Sequence, residues 1–106
     1  MEAPKLQGQK RSPLFFDKID LFEDRMETKA LIGSKKVFPF AEINSWTEIK
    51  KQQRKSNITW LEFTVYTAKK KYMINSLHWK NYNDMTAILS AGKKRDTAKE
   101  AKLPRR

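Results

Sequence analysis

Cysteine is absent from the 106-residue chain, which excludes disulfides and thiolate metal sites and fits a reducing cytoplasm. The one histidine, His78, has no second imidazole or thiol to share a metal with, so no zinc-type ligand set is predicted. Glycine occurs only as the isolated Gly8, Gly33 and Gly92, and no phosphate-cradling glycine loop is present. Apolar runs such as Leu14-Phe15-Phe16 are far too short to span a bilayer. Residues Met1 to Pro13 lack the apolar centre of a secretory signal. No Ser–His–acid triad or carboxylate pair can be assigned from spacing. These absences predict a soluble, cytoplasmic and non-enzymatic protein, membrane-peripheral at most, with no cofactor and no small-molecule substrate.

Positive charge is abundant. The formal net charge is +11, which by itself points to nucleic acid or an anionic membrane. Its distribution argues otherwise. Residues 1–13 contribute +2, residues 93–106 contribute +5, and the 79 residues between them only +4. Most of the excess lies in two terminal segments. Residues 1–13 hold Pro4, Gly8 and Pro13 and read as a flexible N-terminal arm. Residues 93–106 read as a basic C-terminal tail, either extending a helix or disordered, and stopped by Pro104.

The domain is predicted over residues 14–92. Ile19 and Phe22 flank a short strand that ends in the polar turn Glu23-Asp24-Arg25. A second strand runs from Met26 to Ile32, with Met26, Thr28 and Ala30 alternating against charged neighbours. Gly33 supplies a turn that needs positive φ. A third strand covers Lys36–Phe38, and Pro39 takes the chain out of the sheet. Further strands are expected over Ile43–Lys51, Thr59–Tyr66 and Lys71–Asn75. The period then becomes helical, with Tyr82, Met85, Ile88 and Leu89 on one stripe. Asn81 stands at the N-cap, Asp84 in the first turn, and Gly92 just past the end. With no strand–helix–strand alternation, the fold class is mainly β with one C-terminal helix. The predicted architecture is an antiparallel split barrel of six or seven strands, closed or nearly closed, capped by an amphipathic helix.

Four segments carry a family resemblance: Ile19-Asp20-Leu21-Phe22-Glu23-Asp24-Arg25-Met26, Val37-Phe38-Pro39-Phe40-Ala41-Glu42-Ile43, Phe63-Thr64-Val65-Tyr66 and Trp79-Lys80-Asn81-Tyr82. Together they resemble bacterial pleckstrin-homology-like and GRAM-like domains over residues 14–92. The resemblance implies a barrel capped by a helix and a binding role without catalysis. It also implies a basic first hairpin where phosphoinositides are bound. Here that hairpin reads Glu23-Asp24-Arg25, whose acidic pair repels an inositol phosphate.

Two basic groups are candidate contacts for an anionic ligand. Strand alternation predicts that Lys35, Lys36, Lys50, Lys51, Arg54 and Lys55 gather into one rim. A secondary basic turn, Lys69, Lys70 and Lys71, falls at the opposite end. Such groups attract acidic lipid by about 1 kcal/mol per basic residue, or simply keep sheet ends soluble. Trp46, Trp60 and Tyr66 are candidate partner-facing aromatics. They suit a protein partner or, less well, stacked nucleic-acid bases. The Phe38-Pro39-Phe40 knot either docks a peptide or plugs the barrel. The expected function is an interaction module for a protein partner, through a sheet edge or the groove between sheet and helix. The alternative is peripheral binding to anionic lipid through the hairpins and the tail; nucleic acid is the weakest of the three.

Overall fold

The computed structural model describes residues 3–11, 18–30 and 33–103. The expectations placed on Pro13, Leu14-Phe15-Phe16, the strand end at Leu31-Ile32 and Pro104 lie outside them.

The chain builds eight strands and two short α-helices among the described residues: β1 (Leu6–Gln7), β2 (Lys18–Leu21), β3 (Arg25–Lys29), β4 (Lys36–Pro39), β5 (Ser45–Gln52), β6 (Thr59–Tyr66), β7 (Lys71–Asn75), α1 (Tyr82–Ser90), β8 (Lys94–Arg95) and α2 (Thr97–Glu100). A 3-10 turn over Phe40–Glu42 links β4 to β5. The strands form two four-stranded sheets, ordered β1-β2-β3-β4 and β7-β6-β5-β8. All pairings are antiparallel except β5 with β8. The mainly β character and the six central strands follow the sequence pattern. Barrel closure is not found: among the described residues no ladder joins the two sheets.

Alternation explains the core. Ile19 and Leu21 of β2, Met26 of β3, Phe38 of β4, Phe63 and Val65 of β6 and Ile74 of β7 are all buried, as expected of one inward face per strand. Helix α1 adds Tyr82, Met85 and Leu89 of the predicted stripe to the same cluster, and Ile88, its fourth member, packs partly buried against it. Burying a side chain of this size contributes roughly 1.5–3 kcal/mol. The Tyr82 hydroxyl donates to Glu48 Oε2 at 2.7 Å, tying the helix to β5. Burial, then the Glu48 carboxylate, raises the Tyr82 pKa above the usual phenol range, so the proton stays on Tyr82.

Both terminal segments bond to the body of the fold. Lys5–Arg11, within the stretch read as a flexible arm, does so through its backbone. The Lys5 amide donates to the Leu21 carbonyl (2.7 Å) and the Gly8 amide to Ile19 (2.8 Å). Further on, the Lys80 amide donates to Gln9 (2.6 Å), the Arg11 amide to His78 (2.9 Å), and Lys10 bridges Trp79. This segment therefore laces the first sheet to the stretch before α1. Asn81 is the knot. Its side chain does not cap the helix; instead Oδ1 accepts from the Gln9 amide and Nδ2 donates to the Gln7 carbonyl, each at 2.8 Å. A polar segment folds here because backbone groups on the body need partners.

The basic tail is likewise ordered from Lys93 to Leu103. Gly92 ends the α1 turn with φ +71, the left-handed position the sequence predicted, and the chain then runs back along β5 as β8. Asp96 caps α2 by accepting from the Lys99 amide at 2.9 Å.

Candidate interaction site at the open seam

The unclosed line between the sheets runs where β4 and β7, the margins of each, come together. Phe38 of β4 and Tyr72 of β7 meet across it, ring centroids 5.4 Å apart and tilted by 56°. Among the described residues, the backbone beside them is left unpaired in a definite pattern. The Phe40 amide donates to Asp24 (2.9 Å) and the Phe22 amide to Arg25 (2.8 Å), so with antiparallel alternation Lys36 and Phe38 bond to β3. Val37 and Pro39 therefore turn their backbone outward, and Pro39 has no N–H to offer. On β7 the Ser76 amide donates to Leu61 (3.0 Å) and the Thr67 amide to Lys70 (2.8 Å). By the same alternation Lys71, Met73 and Asn75 turn theirs away from β6.

A cleft of 560 Å3 opens at this seam, walled by Val37, Phe38 and Pro39 on one side and Thr67, Ala68, Lys69 and Lys70 on the other. Glu42 and Asn44 complete it. Val37, which lines the cleft, is 41% exposed, and Met73 on β7 is 49% exposed. The Lys70 ammonium lies 5.6 Å from the Phe38 ring centroid. Lys69, Lys70 and Lys71 are exposed and have no carboxylate partner among the described residues, so the lip of the cleft is positive. A smaller depression of 340 Å3, between Thr28, Gly33, Lys36 and Tyr72, lies toward the other end of β4.

The basic turn at 69–71, secondary in the sequence reading, thus borders the larger cleft. Of the six residues read as one rim, Lys36 opens β4 of the first sheet with Lys35 just before it, and Lys50, Lys51, Arg54 and Lys55 stand on β5 or in the β5–β6 hairpin. Two of them have carboxylate partners: Lys35 with Glu27 at 3.1 Å and Lys51 with Glu62 at 3.2 Å. Arg25 and then Lys35 hold the Glu27 carboxyl below its usual range. The acidic turn is also engaged, Asp24 with Arg25 at 2.7 Å and Glu23 with Lys5 at 3.8 Å.

The three aromatics part company. Trp46 shares the core face with Val65, and its ring stacks on Phe63 at 5.4 Å. The Trp46 indole N–H donates to the Lys93 carbonyl (3.1 Å), and the Arg95 guanidinium lies 5.3 Å from its ring centroid. Tyr66 is on the other face, its hydroxyl 3.1 Å from Thr47 Oγ1 and its ring 3.8 Å beneath the Lys99 ammonium. Trp46 and Tyr66, read as partner-facing, are half-buried and are met here by Lys93, Arg95 and Lys99 of the C-terminal segment. Trp60 is half-buried opposite Lys51. Phe38 is core, 4% exposed, and Pro39 is cleft wall, so the apolar knot serves as both plug and surface.

His78 is occupied with Asn75, whose Oδ1 accepts from the His78 amide at 2.9 Å. Among the described residues no cluster of His, Cys, Asp or Glu could hold a metal ion, and no helix is long and apolar enough to cross a membrane. Comparison with protein families, with curated proteins and with solved structures finds no match to this chain.

Proposed function

We propose that the chain is a pleckstrin-homology-like interaction module without catalytic activity. Its partner is a protein that presents an extended segment of alternating apolar and acidic residues. The observation that carries this reading is the open seam: a 560 Å3 cleft with one apolar wall, Val37, Phe38 and Pro39, and a lip of Lys69 and Lys70. An extended peptide fits such a margin because main-chain groups of the edge strand supply affinity and alternate side chains enter the cleft. Lysines at the lip favour carboxylates over phosphate-free neutral chains and speed encounter.

The test is an NMR titration with an octapeptide alternating valine and aspartate. Shifts are expected at Val37, Lys69, Lys70 and Met73, and Lys69→Glu with Lys70→Glu should weaken binding by about tenfold, near 1.4 kcal/mol. Absence of shifts at the seam, or an unchanged affinity in the double variant, sinks the proposal.

A second reading rests on the β5–β6 hairpin. There Ile58 is 50% exposed near Arg54 and Lys55, a pairing suited to an acidic lipid surface. This reading predicts sedimentation with acidic vesicles that Arg54→Glu and Ile58→Asp abolish. The docked C-terminal segment offers that surface less charge than its composition suggests, since Arg95 is paired with Glu100 at 2.7 Å.

A further inference from the structure

The outer margin of β5 is closed in an unusual way. Parallel pairing with β8 reaches only Ser45 and Trp46, and the Asp96 amide then donates to the Trp46 carbonyl at 2.8 Å. Beyond that point side chains replace a strand. Glu100 Oε2 accepts from the Glu48 amide at 2.8 Å, and Arg95 Nη2 donates to the Glu48 carbonyl at 3.2 Å. Arg95 Nε meets the same Glu100 oxygen at 2.7 Å. One ion pair thus satisfies both backbone groups of one residue, as a neighbouring strand would. Among the described residues no strand lies beside the next outward positions, Lys50 and Gln52.

We propose that residues 93–103 are a displaceable self-ligand on a strand-docking edge, and that their contacts describe the partner that replaces them. That partner is an extended protein segment running parallel to β5. It gives a carbonyl to the Trp46 indole, lays a guanidinium over the Trp46 ring, and brings a carboxylate to the Glu48 amide. It also continues past Glu48, where a further acidic residue meets Lys50. The continuation is what lets it win. A tethered segment competes at an effective concentration near ~1 mM, so a partner in trans must make contacts the tether cannot, and the ladder positions at Lys50 and Gln52 supply them. Release is local: the segment is held by a two-residue ladder, the bonds of Lys93 and Asp96 to Trp46, the Arg95–Glu100 pair with its two bonds to Glu48, and ring contacts. The turn that carries it has Gly92 in open space. This inference is independent of the seam on the opposite margin of the second sheet.

The full chain carrying Arg95→Ala and Glu100→Gln tests it, with a synthetic peptide of the sequence of residues 91–103 as probe. The variant is expected to bind the peptide at least about tenfold more tightly than the parent chain does, the parent edge being occupied. The Trp46 indole and Glu48 amide resonances should return to their parent positions. A folded variant that ignores the peptide overturns the proposal. Native-state hydrogen exchange on the parent chain gives a second measurement if the variant does not fold. The Glu48 and Asp96 amides should exchange at least about tenfold faster than those of Phe63 and Val65. Exchange of all four at one common rate overturns the proposal, since the segment would then leave only on global unfolding.

Discussion

At Gly8 a missing side chain sets how closely the N-terminal segment approaches the body. A Cβ there would stand 2.5 Å and 2.8 Å from two carbons of the Trp79 ring and 3.2 Å from the Met85 methyl. Trp79 is 6% exposed and Met85 fully buried, so neither can retreat cheaply. Gly8→Ala is therefore expected to destabilise the fold by about 1–3 kcal/mol, as overpacking does, read as a lowered midpoint in urea. The requirement is invisible in sequence, where a lone glycine in a polar stretch looks like a loop residue. Gly33 and Gly92 were legible because their need is local: φ of +116 and +71 follows from a turn and a helix end. Asn81 was half legible. Its type and place suggested a cap, but which groups its amide serves depends on Gln7 and Gln9, more than seventy residues away.

Strands β6 and β7 were readable to the residue because each alternates between polar turns, and α1 because its period changes. Strands β1 and β8, two residues each, were not, since so short a strand has no period and is defined by what it lies against. The same holds for the Arg95–Glu100 pair; the signal present was Asp96 three residues before Lys99, an N-cap spacing that marks α2. Within the first sheet, Glu27 on β3 is held by Arg25 on its own strand at 2.7 Å and by Lys35 at 3.1 Å, and its pKa is lowered from 4.5. A carboxylate with a depressed folded pKa stabilises above its unfolded pKa and loses that contribution as pH falls through the folded value. The melting temperature of Glu27→Gln should lie below that of the parent at neutral pH. The two should converge as the pH drops below about 4.5. A difference that persists unchanged at pH 2 contradicts this assignment.

Across the whole molecule, composition and period foretold a β-rich domain with a helix, while the relation between the sheets was beyond reach. Whether two margins zip together depends on a few long-range pairings such as Phe38 with Tyr72, which leave no pattern in the chain. The lacing by residues 5–11 belongs to the same class. Deleting residues 1–11 removes the hydrogen bonds to Leu21, Ile19, His78, Lys80 and Asn81. At about 0.5–1.5 kcal/mol for each of these six bonds, the loss should total about 3–9 kcal/mol and appear as a broad, early thermal transition. An unchanged melting curve would show the lacing to be idle. The same lacing also sets an order of events. Residues 7–11 dock on Asn81, His78 and Lys80, far along the chain, so this segment stays uncommitted until that stretch has been made and placed. Its docking is a late step with a long loop to close. Until it happens, Trp79 and Met85 lack the cover that Gly8 brings.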